Sequence, residues 1–132
     1  MIRIVIVDDL NLVREAVAFT LEIEKDIQVM GQGATAGDAV RLTEEFHPDI
    51  LILDINMHGD GLTPAFTVST SFPGTKVLVL TGFLDTEFIH AAKKAGVCAY
   101  VHKGVSRVEL LEVIRGIQVG NRFDAPILPR GV

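Results

Sequence analysis

Ile50-Leu51-Ile52-Leu53-Asp54 sets four branched apolar side chains directly before a carboxylate, and Ile55-Asn56-Met57-His58-Gly59-Asp60-Gly61 follows as a polar, glycine-rich turn. A run that is apolar on both faces reads as a central parallel strand covered by helices on either side. Asp54 then stands at the carboxyl end of that strand, which is the end where open α/β sheets bind ligands. An acid placed there is a candidate nucleophile, metal ligand or both, and a helix N-cap or turn aspartate is the plain alternative.

Working outward toward the amino terminus, Ile2 to Val7 is a β-branched run broken only by Arg3, and it delivers two adjacent acids, Asp8 and Asp9. Residues 10 to 24 follow helical spacing, with Leu10, Val13, Val17 and Leu21 on one line and Leu12, Ala16, Phe19 and Ile23 on another. A helix that covers only a sheet needs one apolar stripe, so the second line is expected to meet another helix or a partner subunit. Ile27 to Gly31 reads as an edge strand, and a helix from Ala36 to Phe46 is stopped by His47-Pro48.

Toward the carboxyl terminus, Leu62 to Phe72 is a helix of poor propensity, rich in Thr and Ser and closed by Pro73-Gly74. Lys76 to Leu80 is a further apolar strand leading to Thr81-Gly82. Phe88, Ile89, Ala92 and Ala95, with Gly96 as a stop, mark a fourth helix, and Val97 to Val101 a fifth strand ending near Lys103. Ser106 caps a last helix carrying Leu110, Val113, Ile114 and Ile117. Five βα units in alternation predict an α/β fold, a doubly wound five-stranded parallel sheet with helices on both faces. Residues 1–119 form that domain. Beyond Gly120, Pro126 and Pro129 discourage regular structure, so residues 120–132 read as a tail or the start of a linker.

Composition narrows the function classes. With 132 residues and 48% hydrophobic content, one domain with its own core is expected. The formal charge of -5, with no Lys/Arg run, argues against nucleic acid or an anionic membrane as a partner of the general surface. Cys98 is the single cysteine and lies in an apolar stretch, which points to a buried thiol in a reducing cytoplasm. The chain opens directly on a strand, and no apolar run approaches the roughly 20 residues of a membrane span.

The strand ends carry the chemistry. Asp8 and Asp9 follow the first strand, Asp54 the third, Thr81 the fourth and Lys103 the fifth, so every polar candidate falls on one edge. Three carboxylates gathered there repel one another unless their pKa values rise or a cation sits among them. A hard divalent ion with oxygen ligands and retained water suits such a set, which favours Mg²⁺. The Thr81 hydroxyl and the Lys103 ammonium are donors that suit two oxygens of a phosphoryl group on Asp54.

On these residues the chain resembles the receiver domain of two-component response regulators over residues 2 to about 119. The resemblance implies a flavodoxin-like (βα)5 fold with strand order 2-1-3-4-5. It implies Asp54 as phosphoacceptor, with Thr81 and Lys103 binding the phosphoryl group in its self-catalysed transfer. Asp8, Asp9, Asp54 and the backbone carbonyl of Asn56 become the Mg²⁺ ligands, and Thr81 and Tyr100 the switch residues. The implied partner is a sensor histidine kinase. Two positions depart from the family pattern. His58 stands where a proline is common, and Lys103-Gly104 replaces the usual Lys-Pro. The glycine, together with Ala91-Ala92-Lys93-Lys94-Ala95-Gly96, is similar to the NarL/FixJ (LuxR-type) subclass, whose receivers precede a DNA-binding helix-turn-helix.

The implied function is a phosphorylation-dependent switch, not an enzyme acting on other substrates. Its outputs are expected to be a homodimer, using Leu12, Phe19 and Ile23 with the last helix, and DNA contact through a carboxyl-terminal domain absent from this chain. A stand-alone receiver acting on a protein partner is the alternative. A phosphohydrolase of the haloacid dehalogenase type fits less well, because its second aspartate is replaced by Asn56, which cannot serve as a carboxylic acid. Gly31, Gly33 and Ala36 spell a G-x-G-x-x-A pattern, but on the second βα turn, where ordinary turn glycines explain it. His47, His58, His90 and His102 show no metal-ligand spacing.

Overall fold

In the central strands the branched residues leave no polar face, so both faces need cover. The computed structural model describes residues 1–57 and 60–130 and supplies that cover from alternating helices. The order is β1 (Ile2–Val7), α1 (Asn11–Glu22), β2 (Ile27–Gly33), α2 (Ala36–Phe46), β3 (Ile50–Leu53), α3 (Leu62–Ser71), β4 (Lys76–Thr81), α4 (Thr86–Lys94), β5 (Ala99–His102) and α5 (Arg107–Gln118). All pairings are parallel, and the strands lie in the order β2-β1-β3-β4-β5. This is the expected doubly wound sheet. Its order reverses between β1 and β3.

Successive strand residues point to opposite faces and divide the core in two. Ile4, Ile6, Ile50, Ile52, Leu78 and Leu80 pack with Leu21 of α1 and with Leu110, Ile114 and Ile117 of α5. Val5, Val7, Leu51, Leu53, Val77 and Val79 pack with Ala39 and Leu42 of α2, Ala65 and Val68 of α3 and Ala92 of α4. Cys98 is buried, as its apolar context implied. Of the two apolar lines on α1, only the one near Leu21 is covered. Leu12, Phe19 and Ile23 remain 83%, 72% and 57% exposed.

Local chemistry explains the element ends. Arg3, the one polar interruption in β1, donates from its guanidinium to the carbonyls of Phe46 and His47 and so satisfies the last turn of α2. Thr35 and Asp38 form a reciprocal capping box at the start of α2. Asp85 caps α4, accepting from the Glu87 and Phe88 amides, and Gly96 ends that segment at φ +95°. The segment Leu62–Ser71 is helical despite its Thr and Ser content. Pro64 sits in the first turn, where a missing N–H costs nothing.

Most boundaries fall within a residue or two of those expected, and three differences bear on the site and its surroundings. β2 continues to Gly33, accommodated by a register shift opposite Ile4 and Val5. A Cβ on Gly33 would lie 2.6 Å from Cβ of Asp38, so this glycine lets the strand pass close to α2 and needs no nucleotide to explain it. β5 begins at Ala99, with Val97 and Cys98 buried just before it. The segment beyond Gly120 is not extended away from the domain: Ile127 forms a parallel bridge with Val101 on the outer edge of β5.

Candidate functional site

Strand register brings the acids together. Val7 pairs with Leu53, and Leu53 with Val79, so β1, β3 and β4 are level there. One residue further on, Asp8 and Asp54 emerge side by side where the strand order reverses. The Asp54 amide donates to the Val7 carbonyl at 3.1 Å and the Asp8 amide to Gly33 at 3.0 Å, which fixes both turns. The Lys103 amide donates to the Thr81 carbonyl at 2.9 Å, bringing the end of β5 over the same edge.

Lys103 is the cation among the carboxylates. Its Nζ lies 2.8 Å from Asp8 Oδ2 and 2.9 Å from Asp54 Oδ2, with the two acid side chains only 6% and 5% exposed. Burial by itself pushes the ammonium pKa down, but the hydrogen bonds it donates to Asp8 and Asp54 outweigh it and hold the group above the usual lysine value. The other carboxylate oxygens are engaged by backbone. Asp8 Oδ1 accepts from the Leu10 amide and Asp54 Oδ1 from the Asn56 amide, both at 2.9 Å.

Thr81 is fully buried at the end of β4, where its Oγ1 accepts from the Phe83 amide at 3.2 Å. That bond uses a lone pair and leaves the hydroxyl proton available. Tyr100 is 2% exposed and its hydroxyl donates to the Phe83 carbonyl. Burial, followed by the charges of Asp54 and Asp85, pushes the Tyr100 pKa up to about 12. Phe83 stacks edge-on against Phe88, with ring centroids 4.9 Å apart. Thr81 and Tyr100 are thus joined through the backbone of one residue, Phe83.

One residue escaped the sequence reading. Arg14, on the second turn of α1, donates to the Asp8 backbone carbonyl at 2.7 Å, bracing the acidic turn. Its Nε is buried with no hydrogen-bond partner among the described residues. A lone cation five residues after Asp9 was the available signal. Asn56 is exposed beside Asp54, while His58 and Gly59 lie outside the described residues.

The acids also suit a metal. Asp8, Asp9 and Asp54 each present an oxygen within 4.8 Å of the others. On an octahedral Mg²⁺ adjacent ligand oxygens stand about 3 Å apart and opposite ones about 4.2 Å, so the three carboxylates would draw closer around an ion. Oxygen donors alone, with room for water, match Mg²⁺ better than a softer metal.

A clustered acid set bridged by lysine at the switch point of a five-stranded sheet defines a receiver. The response regulator receiver domain family matches residues 4–115, and the chain belongs to that family. Its relatives are those of the LuxR, or NarL/FixJ, subclass. The transcriptional regulatory protein LiaR of Bacillus subtilis is 32% identical over 121 residues, covering 91% of this chain and 57% of LiaR. The response regulator protein VraR of Staphylococcus aureus is 30% identical over 126 residues, covering 95% of this chain and 60% of VraR. The chain therefore spans less than two thirds of the length of these relatives. A LuxR-family response regulator from Aurantimonas sp. SI85-9A1 superposes with a TM-score of 0.85 at 31% identity, covering 91% of this chain and 86% of that one. A LuxR-family DNA-binding response regulator from Staphylococcus aureus superposes with a TM-score of 0.83 at 29% identity, over 89% of this chain and 98% of the other. Receivers of this family are signalling switches, and among the described residues no helix is long and apolar enough to cross a membrane.

Proposed function

We propose that this receiver accepts a phosphoryl group on Asp54 from the phosphohistidine of a cytoplasmic sensor histidine kinase and thereby changes its association with a second copy or a protein partner. The observation that carries this reading is the Lys103 ammonium held between Asp8 and Asp54 in a buried acidic cluster. A carboxylate oxygen of Asp54 attacks phosphorus, the P–N bond to the donor imidazole breaks, and the electron pair leaves on that nitrogen. Lys103 follows the charge from the carboxylate to a phosphoryl oxygen, and the free Thr81 proton is donated to another. Asp8, Asp9, Asp54 and the Asn56 carbonyl would hold Mg²⁺, which offsets charge on the phosphoryl oxygens.

The switch follows from the chain of contacts. Once Thr81 turns toward the phosphoryl group, the Phe83 amide loses its acceptor and the loop that receives the Tyr100 hydroxyl is released to move. The domain turns over no substrate other than its own acyl phosphate. The exposed Leu12, Phe19 and Ile23 of α1, beside α5, supply an apolar face for dimerisation. LiaR and VraR are each longer than this chain, and LiaR is a transcriptional regulator. On that likeness the output of the receiver runs through DNA binding, with paired receivers setting the spacing of two DNA-binding domains.

Intact mass after incubation with phosphoramidate, with and without Mg²⁺, tests the reading. The expected result is a gain of one phosphoryl group that requires Mg²⁺ and is lost when Asp8→Asn and Asp9→Asn are combined. A gain of equal rate without Mg²⁺, or in the double variant, would make those acids helix caps and nothing more.

A further inference from the structure

After α5 the chain turns at Gly120, φ +99°, and runs back along the free edge of β5. The Phe123 amide donates to the Cys98 carbonyl at 2.8 Å and the Ile127 amide to the Tyr100 carbonyl at 2.8 Å, and the His102 amide returns a bond to the Ile127 carbonyl at 3.0 Å. Phe123 and Ile127 pack onto the core face shared by α1 and α5. Two glycines make the seat. A Cβ on Gly116 would stand 2.9 Å from the Phe123 ring, and one on Gly104 would stand 3.2 Å from Cγ of Pro129. Arg130 closes the far end, 2.7 Å from Glu112 and 3.6 Å from Glu109.

This segment grips the strand that carries the site. Tyr100 and His102 are held by Ile127, Gly104 is covered by Pro129, and Lys103 lies between them with its ammonium on Asp8 and Asp54. We propose that residues 121–130 are a strap whose docking on β5 is thermodynamically coupled to phosphoryl occupancy of Asp54. The proposal rests on Asp54 as the phosphoacceptor. Docking holds β5 in the register that puts Lys103 over Asp54, so strap and phosphoryl group favour one another. Coupling of binding equilibria is reciprocal: whatever factor the strap adds to phosphoryl-analogue affinity, the analogue adds to strap docking.

Beryllium trifluoride with Mg²⁺ is the probe, and amide hydrogen exchange at Ile127 and His102 reports docking. Ile127→Pro removes the amide that donates to the Tyr100 carbonyl, and Gly116→Val drives Phe123 from its seat by an independent route. Ile127→Val retains the donor and serves as the conservative rescue. The expected result is about a fivefold loss of beryllium trifluoride affinity in both disruptive variants, none in Ile127→Val, and a matching slowing of Ile127 exchange in the wild-type chain when the probe binds. Unchanged affinity in a variant whose strap amides exchange freely overturns the coupling, as does wild-type exchange that is indifferent to bound probe. Wild-type protein that binds no beryllium trifluoride overturns the phosphoacceptor reading as well, which separates the two failures.

Discussion

Ile50 to Leu53 and Asp54 are neighbours on one strand, yet they are buried by opposite means. The four apolar residues are at most 2% exposed and are covered by helices on both faces, where each contributes on the order of 2 kcal/mol by leaving water. Asp54, at 4% exposed, is buried nearly as deeply, and its charge must be met by Lys103 and the Asn56 amide. The same contrast holds on β1 between Val7 and Asp8. The strand bodies hold the fold together. The strand ends hold charge that a well-packed apolar residue would replace at no loss of stability, and function accounts for keeping it.

Substitutions on either side of that boundary separate the two roles. Ile52→Ala, in the body, should cost about 3 to 5 kcal/mol in urea unfolding while the remaining folded protein still takes up phosphoryl groups. A cost below about 1 kcal/mol would mean that the helices do not seal this face. Lys103→Ala, at the end, leaves two adjacent buried carboxylates, and a loss of about 3 kcal/mol is expected in Mg²⁺-free buffer. Millimolar Mg²⁺ should recover part of it, because the ion binds only the assembled site. The pH dependence has a definite sign. The Lys103 pKa is raised in the folded state, so its contribution is fully present below the unfolded lysine value and is lost only as pH rises through the folded one. The wild-type advantage should therefore be flat through neutral pH, and a fall between pH 6 and pH 8 would contradict this ion pair. The smallest effect belongs to the uncovered face of α1. Phe19→Ser should change monomer stability by less than about 0.5 kcal/mol while weakening any dimer of the phosphorylated form in sedimentation.

Legibility in the sequence follows how local the cause is. β1 and α2 have the bounds expected from sequence, because a β-branched run and a Thr35/Asp38 cap are written in adjacent residues. The clustering of Asp8, Asp54 and Lys103 was legible too, since parallel strands deliver all their ends to one edge. Contacts set by tertiary register were not. The Thr81 oxygen accepts from Phe83 in a local turn two residues on, but nothing near it announces that Tyr100, from β5, meets that same backbone unit. The depth of Tyr100, 2% exposed in the core face that α2, α3 and α4 cover, was not legible either. Residues 121–130 are the plainest case. Their prolines do limit regular structure to a single bridge, but the seat for Phe123 lies at Gly116, across a turn, and the hold on Ile127 comes from β5.

The chemistry at the boundary comes down to one atom group. Acyl phosphate formed with phosphoramidate and Mg²⁺ reacts with hydroxylamine, and peptide mapping of the trapped product locates the carboxylate that carried it. The expected result is a single modified residue, Asp54, with no product from Asp54→Asn, since an amide is a far weaker nucleophile than the carboxylate it replaces. Modification at Asp8 or Asp9, or undiminished product in Asp54→Asn, would contradict the placement of the phosphoryl group at the end of β3.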